Sequence, residues 1–362
     1  MEERQSLLNQ IEGTIRMANK SIRETTFAYL ASCVPSEVLK PIRTVVLTGV
    51  GDDYFAAMAA RPLFENTESG TPCGCVAETQ EALYFSRYRN RYEDGWHPVL
   101  TKSTLLVAIS TSGSDSMTVE ALRRLNEKGG KTVAVTNDIY GPVAAAAQYV
   151  VDMNACGLNP ENKLSAFTAA ALCAMMFGMH FSVVKGRLPA RCALAQQEAM
   201  AGYVNAFSGK TMTGLKEIAA AIASEWKKIG VEYVDVVADG YEFPAAQVGA
   251  ARVIDSRAAM AMVDDNEDWN HIPFWTRNPD RVGTVLFANS GSTSFGRSVE
   301  NADTFTALGR KLVVITDAET DVFPESAAVV VLPKSQYRWA VPLMCHLPLS
   351  LIAAYMTMTG GY

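Results

Sequence analysis

The sequence predicts an α/β protein made of two tandem, doubly wound parallel sheets of the Rossmann-like type, preceded by an N-terminal helix. An apolar stretch at 105–109 runs without polar alternation into a Ser/Thr/Gly turn and a helical pattern, as expected for a strand buried on both faces. The same pattern recurs in the second half of the chain. With 362 residues, of which 49% are hydrophobic and 19% charged, the chain is long enough for two separate cores.

The first half of the chain alternates strand and helix signals. Residues 4–32 carry apolar side chains at helical spacing and predict an amphipathic helix that packs on the body. The elements that follow are a strand at 44–47, a Gly-x-Gly turn at 49–51, a helix from Tyr54, the strand at 105–109, a helix ending at Gly129-Gly130 and a strand at 132–136.

The second half repeats this order. The strand, glycine turn and helix around Ala56 recur 189 positions later around Ala245, and the strand and turn at 104–112 recur 180 positions later at 284–292. Each half also ends in a long apolar helix before a glycine. The repeat predicts an N-terminal helical segment at 1–40, a first domain at 41–187, a helical connection at 188–229 and a second domain at 230–362.

Composition and charge exclude several classes of protein. The net charge is −6 and there is no basic run, which argues against a nucleic-acid partner. The charged N-terminus does not resemble a signal peptide, and the apolar stretch at 166–184 contains His180 and small residues, which favours a core helix over a membrane span. Most of the seven cysteines are scattered among apolar residues. We therefore expect reduced thiols, a cytoplasmic location and no membrane association.

The turn after the strand at 105–109 is the first candidate site. It places hydroxyls and backbone N–H groups at the start of a helix, where the helix dipole favours a phosphate or another compact anion. The same residue types also make a tight turn that caps a helix, so the turn alone leaves both interpretations open. The candidate ligand-binding residues here are Ser110, Thr111, Ser112, Gly113, Ser114 and Thr118.

A duplicated unit with Gly-x-Gly and then Ser-x-Ser-Gly resembles the double sugar-isomerase (SIS) domain family, which includes the isomerase half of glucosamine-6-phosphate synthase and the phosphosugar deglycases. The resemblance covers nearly the whole chain from residue 41. Ile109-Ser-Thr-Ser-Gly-Ser-Asp115 stands where the family has Ile-Ser-Gln-Ser-Gly-Glu-Thr. The resemblance implies that the segment 110–113 binds the phosphate of a sugar or amino-sugar phosphate, and it implies no cofactor.

One turn departs from the family's pattern. The family's Gly-x-Gly-x-Ser is replaced by Gly49-Val-Gly51-Asp52-Asp53, whereas the family uses a serine near Asp53 to hold the phosphate. At an effective dielectric of about 20, two unit charges about 4 Å apart repel by about 4 kcal/mol. Either both Asp side chains point away and cap the following helix, or the ligand is not an ordinary phosphosugar. Gly51 and Asp53 are the candidate substrate-binding residues of this turn.

Two motifs of the second half resemble the family's acid–base residues. Gly249-Ala-Ala-Arg-Val-Ile-Asp255 resembles Gly-Ala-Leu-Lys-Leu-Lys-Glu, and Glu267-Asp-Trp-Asn-His-Ile-Pro273 stands where the family has Gly-Glu-Leu-Lys-His-Gly-Pro. The family's Glu and His are sixteen positions apart, as are Asp255 and His271. The resemblance implies that Asp255 and His271 are catalytic and that Arg252 helps to hold the sugar.

These residue types suit aldose–ketose isomerisation. A histidine exchanges protons near neutral pH and can open the sugar ring. A partly buried carboxylate can move a proton between C1 and C2 through an enediol. Because Asp255 is one methylene shorter than Glu, the reaction stays open between an isomerase and a ketosamine-phosphate deglycase. A regulator that binds a sugar phosphate without turnover is the non-catalytic alternative.

Further candidates flank these motifs. Glu161 and Ser165 lie in a segment that resembles the family's loop over the sugar, and Glu267 and Asp268 are reserve carboxylates beside the histidine. The acidic cluster at 264–268 favours helix capping over a metal site, so no metal is predicted. In the family a neighbouring subunit often completes the site, which implies a homodimer or higher homo-oligomer with a shared active site.

Overall fold

The computed structural model describes residues 2–65, 74–89, 100–153 and 163–357. The chain divides into two compact units, which we call the N-terminal unit (Arg16–Ala201) and the C-terminal unit (Met1–Ile15 with Gly202–Tyr362). Each unit contains one five-stranded parallel sheet flanked by helices, so the predicted α/β, doubly wound fold is confirmed. The predicted domain boundaries at residues 40, 187 and 229 stay a prediction.

The first part of the chain begins with helices and then alternates strands and helices. Its elements are α1 (Glu2–Glu24), α2 (Phe27–Cys33), α3 (Ser36–Leu39), β1 (Thr44–Gly49), α4 (Asp52–Glu65), β2 (Val76–Glu81), α5 (Ala82–Arg87), β3 (Thr104–Ser110), α6 (Ser116–Glu127), β4 (Lys131–Thr136), α7 (Pro142–Ala146), β5 (Tyr149–Asp152), α8 (Lys163–Val184) and α9 (Ala190–Ala206).

The sheet of the N-terminal unit has the strand order β2-β1-β3-β4-β5, and every pair is parallel. Strands β1 and β3 are buried at every position, which explains the apolar runs at 45–47 and 105–109. The chain proceeds from β1 to the edge strand β2 and then returns to β3 on the other side. The gap between the carboxyl ends of β1 and β3 is therefore the topological switch point, where open α/β sheets bind ligands.

Helices cover this sheet by two different patterns. Helix α6 is amphipathic and buries Val119, Leu122 and Leu125 in a core cluster with strand residues of the sheet. Helix α8 is buried along nearly its whole length, and Gly178 lies so close to α4 that a Cβ there would be 2.9 Å from the Cβ of Leu63. Helix α8 is therefore a core helix, as the sequence predicts.

The C-terminal unit contains a second set of alternating elements. They are α10 (Lys210–Ile229), β6 (Tyr233–Val237), α11 (Phe243–Asp255), β7 (Met260–Asp264), α12 (Asn266–His271), β8 (Val282–Ala288), α13 (Phe295–Ala307), β9 (Lys311–Thr316), β10 (Ala328–Val331) and α14 (Leu347–Met356). The strand order of this second sheet is β7-β6-β8-β9-β10. When the strands of each sheet are numbered from one to five along the chain, both sheets have the order 2-1-3-4-5. The predicted duplication is thus confirmed.

Two helical stretches among the described residues have the length and apolarity of a membrane span. They are Lys163–Val184 and Arg338–Met356, of which 89% and 94% are buried inside the protein. Burial of this extent is typical of core helices, because a membrane span exposes apolar side chains to lipid.

Candidate functional site

The turn that follows β3 lies at the switch point of the N-terminal unit. It connects Ser110, the last residue of β3, with α6, whose N-cap residue Asp115 accepts a hydrogen bond from the Thr118 N–H at 2.7 Å. Gly113 has a φ of +67°, and a Cβ there would be 2.7 Å from the Cβ of Asp138. This glycine is needed both for its backbone conformation and for space.

Asp53, in the first turn of α4, points into this turn. Its Oδ2 accepts the backbone N–H of Thr111 at 3.0 Å, and its Oδ1 accepts the Thr111 hydroxyl at 2.5 Å. Of the two alternatives for this turn, an Asp53 that points away and caps its own helix is therefore wrong. The carboxylate bonds to the turn because β1 and β3 are neighbours and their following segments leave the same edge of the sheet.

Asp53 has an unusual protonation equilibrium for an aspartate. Burial raises its pKa to about 6, the two hydrogen bonds from Thr111 oppose that rise, and the nearby charges of Asp52 and Asp115 add to it. A carboxyl group with this pKa exchanges protons just below neutral pH. The turn therefore contains a group that can either accept or donate a hydrogen bond toward a ligand.

Four further hydroxyls lie in the turn or in the first residues of α6. Ser110 is 1% exposed and Thr118 is fully buried, and neither hydroxyl has a hydrogen-bond partner among the described residues. Ser112 and Ser114 are exposed, with their hydroxyl oxygens 3.2 Å apart. Together with Thr111, the structure thus brings together the hydroxyl residues that the sequence predicts for this turn.

The remaining candidates of the N-terminal unit contribute less. Gly51 has a φ of +57°, and its carbonyl accepts the N–H groups of Tyr54 and Phe55 at the start of α4. Ser165 is 3% exposed near the beginning of α8. Glu161 lies outside the described residues.

Arg252 forms the centre of a buried polar group in the C-terminal unit. It is 4% exposed, and its Nη2 lies 3.0 Å from Oδ2 of Asp255, the last residue of α11. His346 is fully buried, and burial together with the positive charge of Arg252 lowers its pKa to about 3. The predicted sugar-holding arginine and the predicted catalytic carboxylate are thus neighbours.

His271, the last residue of α12, contacts a different acid. Its Nε2 lies 3.4 Å from Oε1 of Glu267, and both side chains are mostly exposed. Glu267 also accepts two hydrogen bonds from Arg297, at 2.9 and 3.2 Å. Asp255 and His271 therefore have separate partners, and His271 presents its ring to solvent.

The acidic cluster around α12 serves as a helix cap. Oδ1 of Asp265 accepts the N–H groups of Glu267 and Asp268 at 2.8 and 2.7 Å, which satisfies two free donors at the start of α12. Within the described ranges, no group of three or more His, Cys, Asp or Glu side chains is arranged to hold a metal ion.

A buried arginine fixes the segment that carries His271. Arg310 forms a fully buried ion pair with Asp235, which also accepts the Trp269 indole N–H at 3.3 Å. The Arg310 guanidinium lies 4.7 Å from the centre of the Trp269 ring, and its Nη2 donates to the Pro273 carbonyl at 2.8 Å. The residues on both sides of His271 are thus held by one side chain.

Glu242 is a buried acid that the sequence analysis does not identify. It precedes α11, is 5% exposed, and burial raises its pKa to about 7. It lies 189 positions after Asp53, the offset of the internal repeat, and that spacing could have identified it. Around it are the side chains of Tyr203, Asp317 and Cys345. The turn that follows β8, which corresponds to the turn after β3, also bonds to a carboxylate: Asp317 accepts the Ser290 N–H at 2.6 Å.

Comparisons with known proteins agree with this geometry. Residues 39–183 match the family model described as "SIS domain". The chain is 24% identical to glutamine–fructose-6-phosphate aminotransferase (isomerizing) of Zymomonas mobilis over 365 aligned positions. That match covers 99% of this chain but only 53% of the relative, so the chain spans about half the length of the curated relatives it matches.

Solved structures show the same fold over nearly the whole chain. The C-terminal domain of glucosamine-fructose-6-phosphate aminotransferase from Francisella tularensis superposes with a TM-score of 0.81 at 16% identity, covering 97% of this chain and 95% of that one. Tagatose-6-phosphate ketose/aldose isomerase from Escherichia coli superposes with a TM-score of 0.72 at 14% identity, covering 97% and 92%.

Proposed function

Residues 39–183 of this chain are an SIS domain, and from that premise we propose that the protein is an isomerase-type enzyme acting on a sugar or amino-sugar phosphate. The observation that carries the proposal is the turn at 110–115. It combines the Ser110 hydroxyl, which has no hydrogen-bond partner among the described residues, with further hydroxyls and with the N-terminus of a 12-residue helix at the switch point of a parallel sheet. In this proposal the turn and Gly51 hold the phosphate end of the sugar.

The proposed acid–base residues belong to the C-terminal unit. His271, exposed and beside Glu267, moves a proton between the ring oxygen and the anomeric hydroxyl and so opens the ring. Asp255 then moves a proton between C1 and C2 through an enediol, and Arg252 stabilises its charge at 3.0 Å. Glu267 orients the imidazole, and Asp268 is the reserve carboxylate of the same helix.

The deglycase alternative uses the same two residues and differs in the product. With a ketosamine phosphate, ring opening and proton removal at C1 lead to an enolamine, which takes up a proton at C2 to give an imine at C1. Water hydrolyses this imine and so releases the amine and an aldose phosphate, whereas an isomerase releases only a sugar phosphate. A regulator binds a phosphosugar and releases no product. An assay of sugar interconversion and of amine release over a panel of hexose, hexosamine and ketosamine 6-phosphates separates the three.

We expect Asp255→Asn and His271→Gln each to lower kcat by about 100-fold or more, since each removes a general acid–base group. Asp303→Asn is the matched control, because Asp303 is an exposed acid on α13 of the same unit. If both variants keep the wild-type kcat, these two residues are not the catalytic pair. Thermal stabilisation by a phosphosugar without product from any member of the panel favours the regulator.

The assembly and the location of the protein belong to the same proposal. By resemblance, the active site is shared within a homodimer or higher homo-oligomer. Five cysteines of the described segments are free thiols, which supports a reducing compartment such as the cytoplasm: Cys33, Cys75, Cys173, Cys192 and Cys345.

A further inference from the structure

Asp53 is fixed at the turn by two hydrogen bonds, yet its carboxylate has room for another. Thr111 provides both donors, one to each oxygen, at 3.0 and 2.5 Å. A carboxylate has about four lone-pair sites, so about two remain after Thr111 has donated. Asp53 is thus a preorganised acceptor beside the start of α6, where an anionic ligand would bind.

The charges around Asp53 are unfavourable for an anion that brings no proton. Asp52 on the same helix and Asp115 at the N-cap of α6 both act on Asp53 with negative charge, and Asp138 lies against Gly113 of the turn. Oxygen atoms of a fully deprotonated anion would meet the Asp53 oxygens with no hydrogen between them. An anion that carries one O–H group would donate it to the carboxylate instead.

The buried hydroxyls indicate independently that the turn is built for a ligand. Ser110 and Thr118 are 1% and 0% exposed, and neither hydroxyl has a hydrogen-bond partner among the residues described. Leaving a hydroxyl buried and unbonded costs free energy, whereas a ligand oxygen that accepts its proton recovers that cost. Ser112 and Ser114 add two exposed hydroxyls beside them.

We propose that Asp53 is a specificity-determining residue that selects a singly protonated phosphate group and excludes a sulfate. The phosphate donates its P–O–H to the free lone pairs of Asp53, and the serine hydroxyls of the turn donate to its other oxygens. No covalent bond forms or breaks, and a single proton lies between phosphate and carboxylate. The inference rests on the proposed function, since it assumes that a sugar phosphate binds at this turn.

Phosphate and sulfate provide a charge-matched comparison. Hydrogen phosphate and sulfate are both dianions, and a singly protonated sugar phosphate and a sugar sulfate are both monoanions. Only the phosphate member of each pair carries a proton: hydrogen phosphate keeps its last proton near neutral pH and a sugar phosphate holds one with a pKa of about 6, whereas sulfate and a sulfate ester are fully deprotonated there. A difference in affinity within a pair therefore reports the hydrogen bond and not the total charge.

The test measures binding to the whole chain by calorimetry. Inorganic phosphate is compared with sulfate at about pH 8, where hydrogen phosphate is the main species and Asp53, whose pKa is raised to about 6, is deprotonated. A hexose 6-phosphate is compared with the corresponding 6-sulfate at about pH 7, with the affinity calculated for the singly protonated phosphate species. We expect wild type to prefer each phosphate by at least about tenfold, as a hydrogen bond to a charged group allows. In Asp53→Asn the ratio of the phosphate affinity to the sulfate affinity should fall close to one, because the side-chain amide donates a hydrogen bond to either anion.

Asp115→Asn is the control, since it removes a neighbouring charge but keeps a side chain that caps α6. It should strengthen the binding of both anions and leave their ratio unchanged. Equal affinities in wild type, or an unchanged ratio in Asp53→Asn, would overturn the inference while leaving the phosphosugar function intact. Should Asp53→Asn fail to fold, Asp53→Ser serves the same comparison. If neither wild type nor the variant binds any phosphate, the proposed function itself fails.

Discussion

Glu242 illustrates what burial does to a single carboxyl group in the C-terminal unit. It is 5% exposed, and burial raises its pKa from 4.5 to about 7. Because the folded protein then holds this proton more tightly than the unfolded chain, the free energy of unfolding should decrease as pH rises through that window. Between about pH 4.5 and about pH 8, Glu242 should account for about 2–3 kcal/mol of the decrease in the free energy of unfolding. We expect the Glu242→Gln variant to lack this part of the decrease when both proteins are compared by urea denaturation at the two pH values.

The comparison isolates Glu242 because other buried groups remain in both proteins. Burial lowers the pKa of His346 from 6.5 to about 3, so its contribution has the opposite sign and is lost as pH falls through that range. Glu300→Gln removes an exposed acid on α13 and is the control. A Glu242→Gln protein that loses stability with rising pH as steeply as wild type would contradict the prediction.

Residue by residue, the sequence predicts which side chains surround the turn better than how they point. The run from Ser110 to Ser114 is recognisable because hydroxyl residues follow a buried strand directly. The orientation of Asp53 is not, since an aspartate at a helix start caps its own helix as readily as it bonds to a neighbouring turn. His346 escapes prediction for another reason: its partner Arg252 is far away in sequence, and only packing brings the two together.

At the scale of elements, Arg310 connects β9 to β6 and to the segment around α12. Its side chain is fully buried against Asp235, contacts the Trp269 ring and donates to the Pro273 carbonyl. Arg310→Met leaves Asp235 as a buried charge without its cation, so we expect a loss of about 3–5 kcal/mol of unfolding free energy. Chemical denaturation of the purified variant measures this loss.

The matched control is Arg297→Met on α13. Arg297 pairs with Glu267 and Glu300 at the surface, where an ion pair contributes at most about 1 kcal/mol. The double variant Asp235→Leu/Arg310→Met should recover part of the stability lost by Arg310→Met, because it leaves no buried charge behind. Equal losses from Arg297→Met and Arg310→Met would refute the anchoring role of Arg310.

The strands that the sequence predicts most directly are those buried on both faces. Strands β1, β3 and β8 are buried at every position and carry apolar runs, and the internal repeat marks the position of β8 as well. The edge strands β2 and β7 are not predicted in this way, since both are partly exposed and β2 also carries several polar residues. An edge strand has only one neighbouring strand, so its sequence is less constrained by burial.

At the scale of the whole molecule, the proposed shared active site makes a quantitative prediction. Asp255→Ala and His271→Ala are each expected to be inactive alone. If each site of a dimer takes one of these residues from each subunit, a mixed dimer contains one intact site and one site without either residue. Random exchange at equal concentrations should then restore about a quarter of the wild-type activity.

The measurement is activity after subunit exchange, with each variant incubated alone as the control. Recovery that grows with the fraction of mixed dimers supports a site built from two chains. If exchange is demonstrated and no activity returns, each site is contained within one chain.

The uniform burial of α8 limits how this protein can change during evolution. Every residue from Leu164 to Ser182 is buried, so the helix has no solvent face on which charged residues can be exchanged freely. Substitutions there are restricted to apolar or small residues of similar volume, whatever their angular position on the helix. Helix α6 instead has an exposed side that can drift. In an alignment of relatives, sequence variability along α6 should therefore recur about every 3.6 residues, whereas along α8 side-chain volume should be conserved at every position.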